Sequence, residues 1–226
     1  KIVSGITSGN LSQAAAGVGS AGGAVIGGAT VEYYRQADAG LLTYLAIAER
    51  FREKGLSRRL VLAAHKALAE MASKSTPLFA ETEKYDDHAE EDERATIIRR
   101  HRRLSALGAY AIDFDYVMPP LRPGAEPREL HLLVLDPPDP GRTPHVSAHR
   151  VRALLQELAR SLQTRLEDHP QTREMDAFLA GRKTIPLTRL PGTRFDRRFR
   201  ETPVIPLNGP AAFTFAFELC FTGFYI

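Results

Sequence analysis

The sequence predicts an α/β protein in which helices cover the faces of a central mixed sheet. Two observations predict this class. The predicted elements follow in the order strand, strand, helix, strand, helix, strand, strand, helix, strand, which gives a mixed sheet with helices on its faces. The composition, with 43% hydrophobic and 25% charged residues among 226, is that of a globular protein and excludes collagen-like, coiled-coil and disordered chains.

The N-terminal stretch is dominated by small residues, with 15 Gly, Ala and Ser in the first 24. Because such a stretch buries little apolar surface, residues 1–23 are predicted to form a flexible lead-in. The stretch also contains Gly17, Gly19 and Gly22 at the spacing of a dinucleotide-binding fingerprint. That fingerprint requires a strand before it and a helix after it, and neither flank fits, so we interpret the match as chance.

Local patterns predict the next strands and the first helix. Residues 24–36 and 41–48 are strand candidates separated by a turn-like segment. Apolar residues from Leu56 to Met71 recur at the three- and four-residue spacing of one helical face. Residues 77–83 then form a short predicted strand.

The C-terminal half continues the alternation of helices and strands. A helix is predicted at about 91–107, where acidic residues come first and arginines last, as the helix dipole favours. Residues 111–118 and 129–135 are predicted strands, and the proline-rich bridge between them suits a wide hairpin. The remaining predictions are a helix at 147–166, a short helix at 171–181 and one or two strands within 213–226.

Charge and cysteine content narrow the functional classes. Thirty Lys and Arg against 27 Asp and Glu leave a formal charge of +3, too small an excess to indicate a nucleic-acid-binding protein. The single cysteine excludes a disulfide framework and is typical of a reducing compartment, so we expect a cytoplasmic protein. The most apolar run, residues 211–226, contains Glu218 and is shorter than the about 20 residues of a membrane-spanning helix. We therefore expect neither a nucleic acid nor a membrane as partner.

The segment from Leu41 to Leu60 carries the most chemical information. It runs from an apolar strand through a charged loop into an amphipathic helix, with Gly55 and Ser57 at the junction. A helix N-terminus offers unpaired N–H groups and the positive end of the dipole, and glycine lets a phosphate approach the main chain closely. The surrounding cations are Arg52, Lys54, Arg58 and Arg59. The segment indicates a phosphate or pyrophosphate loop, and an ordinary basic helix start with a turn glycine is the alternative.

The same junction resembles the acyl-CoA signature of the GNAT superfamily of N-acyltransferases. That signature has Arg or Gln, two residues, Gly, one residue, and Gly or Ala; Arg52, Gly55 and Ser57 occupy these places, and Ser57 is still small. The order of the flanking elements resembles the family as well. The resemblance implies a mixed, mostly antiparallel sheet flanked by helices, with a GNAT-like core at 24–140 and a helical and β extension at 141–226. The extension covers a sheet edge, completes an acceptor pocket or forms a homodimer by strand pairing.

The resemblance implies an N-acetyltransferase that transfers an acetyl group from acetyl-CoA to a primary amine by direct attack. Main-chain groups at the end of the strand before the loop would pair with the pantetheine arm, and the N–H groups at the helix start would hold the pyrophosphate. The implied acyl-CoA-binding residues are Ala46, Ile47, Arg52, Lys54, Gly55, Leu56, Ser57, Arg58 and Arg59.

The catalytic groups are less well defined by the resemblance. The family often places a tyrosine, as acid toward the thiolate, where this chain has Leu104, so Tyr110 and Tyr116 are the candidates for that role. For the base, Glu81 is the first candidate because it lies inside a predicted strand, and Glu32 is the second. A surface carboxylate or a packed tyrosine is the alternative interpretation of each.

Two other classes of function stay open. The missing tyrosine favours a non-catalytic acyl-CoA-binding or regulatory module of the same fold. The arginine-rich residues 182–200 favour an interaction protein with an acidic partner. The histidines and the single cysteine lack the spacing of a metal site, so no metal is expected.

Overall fold

The computed structural model describes residues 3–5, 11–17, 20–21, 24–52, 54–72, 76–85, 90–135 and 145–190. The strands are β1 (Val3–Gly5), β2 (Leu11–Gly17), β3 (Ser20–Ala21), β4 (Ala24–Val25), β5 (Gly27–Tyr34), β6 (Ala39–Ile47), β7 (Leu78–Glu83), β8 (Tyr110–Ile112), β9 (Val117–Met118), β10 (Arg128–Val134), β11 (His145–Ser147) and β12 (Thr184–Thr188). The α-helices are α1 (Leu56–Met71), α2 (Glu91–Ala106), α3 (Ala148–Ser161) and α4 (Pro170–Ala180). These elements are an alternation of strands and helices, as the sequence predicts.

Ten of these strands form one sheet. Its order is β1-β2-β5-β6-β7-β10-β8-β12-β11, with β9 paired to β10. The β6–β7 pair is parallel, and the other pairs of this sheet within the described residues are antiparallel. A parallel pair requires a crossover connection, and α1 supplies it between β6 and β7. The predicted mixed, mostly antiparallel sheet flanked by helices is confirmed.

Strand alternation divides the core into two layers on opposite faces of the sheet. On one face, here the α1 face, Leu42, Ala80 and Leu133 pack against the buried side of α1. On the other, the α3 face, Leu41 and Phe79 pack beneath α3 and α4. The α3 face therefore depends on helices that lie C-terminal to the predicted GNAT-like core.

Polar contacts join α3 to the turn between β5 and β6. The buried carboxylate of Glu157 accepts hydrogen bonds from the main-chain N–H groups of Gln36 (2.9 Å) and Ala37 (3.2 Å). Arg150 lies 3.6 Å from the carboxylate of Asp38, which has a φ of 45° in this turn. Buried N–H groups need such partners, so α3 fixes the turn that follows β5.

The structure differs from the predicted elements at three places. Residues 3–5 and 11–17 of the predicted flexible lead-in form β1 and β2, and β2 pairs with β5 along seven residues. Main-chain hydrogen bonds do not depend on large side chains, so the small-residue composition did not reveal them. The predicted strand 111–118 is two strands, β8 and β9, and Asp113 between them donates its N–H to Pro186 of β12 (2.9 Å). Strands β11 and β12 were not predicted, because three and five residues are too few for a clear alternation.

Some sequence predictions lie outside the described residues. These are the strands within 213–226, the boundary at 140 and most of the arginine-rich segment 182–200. Among the described residues, no helix is both long and apolar enough to span a membrane. The division into a core at 24–140 and an extension at 141–226 stays a prediction.

Candidate active site

The parallel pairing of β6 with β7 is short. It joins Gly40 to Leu78, Leu41 to Phe79 and Leu42 to Ala80, and β6 then continues for five more residues. A register shift marks a β-bulge at this point, because Val31 of β5 faces Leu42 whereas Thr30 faces Tyr44. Bulges bend a strand and increase its twist. Beyond Leu42, β6 therefore diverges from β7, and within the described residues no other strand pairs with this edge of β6, here the open edge.

The N–H and C=O groups of successive residues in β6 point alternately to its two edges, and this alternation decides which residues present these groups at the open edge. The N–H of Ala48 donates to the Ile26 carbonyl (2.9 Å), so Ala48 faces β5. Ala46, two residues earlier, also faces β5, and a Cβ added to Gly27 would meet the Ala46 oxygen at 2.8 Å. The groups of Leu45 and Ile47 then point to the open edge. Of the two residues predicted to pair with a pantetheine arm, Ile47 faces the open edge and Ala46 faces β5.

The open edge leads into a tight turn and then into α1. A single 3₁₀ turn, Glu49–Phe51, follows β6, and the Arg52 Nε donates to the Ile47 carbonyl (3.3 Å). Gly55 is the N-cap residue of α1 with a φ of +70°, and a Cβ placed there would meet no atom within 4 Å. This left-handed conformation favours glycine, and the open space above it gives a ligand access to the main chain.

The first turn of α1 has the properties of an anion site. Within the described residues, no side chain caps the N-terminus and no acidic residue lies in the first turn. Leu56 is buried and Ser57 half-buried, which fixes the helix on the sheet while leaving its N-terminus accessible. The cationic side chains are exposed: Arg52, Lys54, Arg58 and Arg59. Unpaired N–H groups and nearby cations stabilise a bound anion.

Glu81 and Tyr116 form a hydrogen-bonded pair where β6 and β7 diverge. Glu81 follows Ala80, the last residue of β7 paired with β6, and its carboxylate accepts a hydrogen bond from the Tyr116 hydroxyl. Burial raises the pKa of Glu81, the Tyr116 hydrogen bond opposes that shift, and the negative charge of Glu32 adds to it. Burial and the Glu81 charge raise the pKa of Tyr116 well above 10. A carboxylate whose pKa is raised is a stronger base.

A second tyrosine–glutamate pair lies beside the first. The Tyr34 hydroxyl donates to the Glu32 carboxylate at 2.7 Å, and the ring of Tyr34 is fully buried on the α3 face. Burial raises the pKa of Tyr34, and the charges of Glu32 and Glu81 raise it further. Four groups from two strands, β5 and β7, and one loop thus form one cluster, here the tyrosine–glutamate cluster: Glu32, Tyr34, Glu81 and Tyr116.

Tyr110 does not belong to this cluster. It begins β8 opposite Val134, and β10 separates β8 from β7. Standard strand spacing places its Cα on the order of 12 Å from that of Glu81. Leu104, at the position of the expected tyrosine, packs against the core on the α1 face. Of the two tyrosines predicted as acid, the structure brings Tyr116 to Glu81 and leaves Tyr110 apart.

Sequence reasoning did not select Tyr34. A signal for it was present, because residues two apart on a strand share a face and Tyr34 follows Glu32 at that spacing. Its hydroxyl partner and its burial under α3 depend on tertiary contacts. Among the described residues, no group of three or more His, Cys, Asp and Glu is placed to hold a metal ion.

Comparisons with known proteins concern the fold. No protein-family model matches the sequence, and no curated protein matches it. The chain is similar to a putative acetyltransferase from the GNAT family of Bacteroides thetaiotaomicron, with 21% identity, a TM-score of 0.34 and coverage of 56% of this chain and 62% of that chain.

Two further solved structures are similar at the same level. They are an acetyltransferase of Bacillus subtilis in complex with CoA (19% identity, TM-score 0.33, 56% of this chain and 77% of that chain) and the aminoglycoside 6'-N-acetyltransferase from Enterococcus faecium (16% identity, TM-score 0.35, 57% and 78%). The chain spans less than two thirds of the length of the Bacteroides protein.

Proposed function

We propose that this protein is an N-acyltransferase that transfers the acetyl group of acetyl-CoA to a primary amine. The observation that carries the proposal is a continuous path along one segment, from the open edge of β6 at Leu45 and Ile47 to the uncapped N-terminus of α1 at Gly55. Such a path matches a ligand with amide groups at one end and a diphosphate at the other. Acetyl-CoA has this arrangement.

The binding mode follows from the chemistry of each part of the path. The amides of the pantetheine arm would extend the sheet along β6 through the main chain of Leu45 and Ile47. The diphosphate would accept hydrogen bonds from the N–H groups of Leu56, Ser57 and Arg58, next to Gly55. The exposed cations around the loop add electrostatic attraction that decreases with ionic strength.

The reaction uses the tyrosine–glutamate cluster at the other end of this path. The amine nitrogen attacks the thioester carbonyl carbon, the C–N bond forms and the C–S bond breaks. Glu81 accepts the proton that the nitrogen loses. Tyr116 donates its proton to the leaving thiolate while protonated Glu81 returns a proton to Tyr116 along their hydrogen bond, which restores both groups. The products are an N-acetylated amine and CoA with its thiol restored. A hydrogen-bonded acid and base at the point of strand divergence support these assignments, and Glu32 is the second candidate for the base.

A non-catalytic acyl-CoA-binding module is the second candidate function. The packing of Leu104 in the core favours it, because the expected tyrosine position is occupied by an inert side chain. In that case the same loop binds acyl-CoA and no acceptor is modified. Location in the cytoplasm and homodimer formation stay predictions.

Calorimetric titration of the full chain with acetyl-CoA, followed by thiol release with a panel of primary amines, tests the proposal. Binding together with thiol release above the amine-free rate supports acyl transfer. Binding without release for every amine supports the module. Absence of binding contradicts both.

A further inference from the structure

The cover of the sheet on the α3 face ends next to the tyrosine–glutamate cluster. On β6, Leu41 is 2% exposed beneath α3, whereas Tyr44, on the same face after the bulge, is 59% exposed. Tyr44 lies opposite Thr30 of β5, and residues directly opposite on paired strands share a face. Judged from the described residues, the face of the sheet between Tyr44 and Glu32 is therefore at least partly accessible.

The opposite face is partly covered at the same level of the sheet. Leu45 and Ile47 pack against the core formed with α1. Within the described part of the chain, a second substrate then reaches a thioester held along the open edge of β6 more readily from the α3 face. That approach passes over Tyr44 and Glu32 before it reaches Glu81.

Tyr44 and Glu32 are side by side on this path. Thr30 of β5 lies directly opposite Tyr44 of β6. It comes two residues before Glu32 on β5, so all three residues share one face. Such diagonal neighbours have Cα atoms about 7–8 Å apart, within reach of long side chains. The hydrogen bond from Tyr34 holds the Glu32 carboxylate. An aromatic face next to a carboxylate is the surface chemistry that binds an ammonium group.

We infer that Tyr44 and Glu32 are specificity-determining residues that bind a second ammonium group of the acceptor, so that the substrate is a diamine or a larger polyamine. One amino group is held over the Tyr44 ring beside Glu32 while the other reaches Glu81. This inference rests on the proposed function and names the acceptor class of that site. It assigns Glu32 to recognition rather than to proton transfer.

The test compares two probes of equal chain length, diaminobutane and aminobutane. Their equilibrium binding to the full chain is measured by calorimetry with saturating CoA and without it, so that the result does not depend on turnover. We expect diaminobutane to bind about tenfold more tightly than aminobutane. The preference disappears in Glu32→Gln and in Tyr44→Leu, and persists in Tyr44→Phe, which keeps the ring.

A matched control is Leu62→Ala, because Leu62 is 60% exposed on α1 and lies away from this path. It leaves the preference unchanged. Equal binding of the two probes, or a preference that survives both Glu32→Gln and Tyr44→Leu, overturns the inference while acyl transfer to monoamines still stands. A diamine preference in a chain that does not bind acetyl-CoA supports the amine site and contradicts the proposed function.

Discussion

The loop at Gly55 and the tyrosine–glutamate cluster lie at the two ends of one open strand edge, and they are built in different ways. The loop comes from contiguous residues, its cations are exposed, and the groups proposed to bind the diphosphate are main-chain N–H groups. The cluster comes from positions as far apart as Glu32 and Tyr116, and its side chains are buried or half-buried. The comparison shows that anion binding needs only local structure, whereas acid–base chemistry needs burial that distant segments provide.

The largest effect is expected at the cluster. Glu81→Gln removes the proton acceptor but keeps the size of the side chain, so acetyl transfer falls by about 100- to 10,000-fold. Affinity for acetyl-CoA is unchanged, because the loop is intact. Thiol release under saturating acetyl-CoA and titration calorimetry measure the two quantities.

Glu83→Gln is the matched control for Glu81→Gln. Glu83 is on the same strand and face, but its carboxylate forms an ion pair with Arg100 of α2. We expect transfer by Glu83→Gln to stay within a few-fold of the unaltered protein. Equal losses of transfer activity in both variants would show that the carboxylates of β7 support the fold and that Glu81 is not the base.

The second-largest effect is expected at the loop, and it tests acetyl-CoA binding independently of proton transfer by the cluster. Gly55→Asp places a carboxylate at the proposed diphosphate site and forces a Cβ into a left-handed conformation, so acetyl-CoA affinity falls by about 10- to 100-fold. Gly124→Asp is the control, because Gly124 has a similar φ of +78° with equally open space. Both variants lose a similar amount of thermal stability. If Gly124→Asp weakens acetyl-CoA binding as much, the loop is not the binding site.

A smaller effect concerns the pH dependence of transfer. The Tyr116 hydrogen bond lowers the pKa of Glu81, so Tyr116→Phe lets that pKa rise further. The base acts when deprotonated, and the acid limb of the pH–rate profile therefore moves to higher pH, with about a tenfold loss of rate. Tyr110→Phe, outside the cluster, leaves the limb in place. A limb that does not move in Tyr116→Phe contradicts the coupling of these two groups.

The smallest expected effect is on the stability of the fold at acid pH, which has to be known before a loss of activity at acid pH is assigned to Glu81. Burial lowers the pKa of His131 to about 4, with smaller contributions from His101 and Lys84. In the unfolded chain His131 binds a proton near pH 6.5, whereas in the folded chain it stays neutral until the pH approaches 4. The free energy of unfolding therefore decreases as pH falls from about 6.5 toward 4. His131→Gln reduces this slope. Thermal melts across the window measure it, and an unchanged slope would assign the acid sensitivity to other groups.

The sequence predicted the loop more fully than the cluster. The positions of Arg52, Gly55 and Ser57 follow from a local spacing, and the structure places Gly55 at the N-cap with a positive φ. Strand alternation predicts Glu81 as a candidate base. Tyr116 is predicted only as one of the two tyrosines nearest to the position of the expected acid. The sequence does not predict Tyr34 as a site residue, because no local pattern reveals its hydrogen bond to Glu32 or its burial under α3.

The sequence by itself determined the order of the main elements, the amphipathic α1 and the glycine at its start, because each depends on residues a few positions apart. Tertiary structure decided where β6 leaves β7, since the bulge at Thr43 exists only in the pairing with β5. It also decided that Leu45 rather than Ala46 lines the open edge. Burial raises the pKa of Glu81 and Tyr116, and burial is a property of the packed molecule.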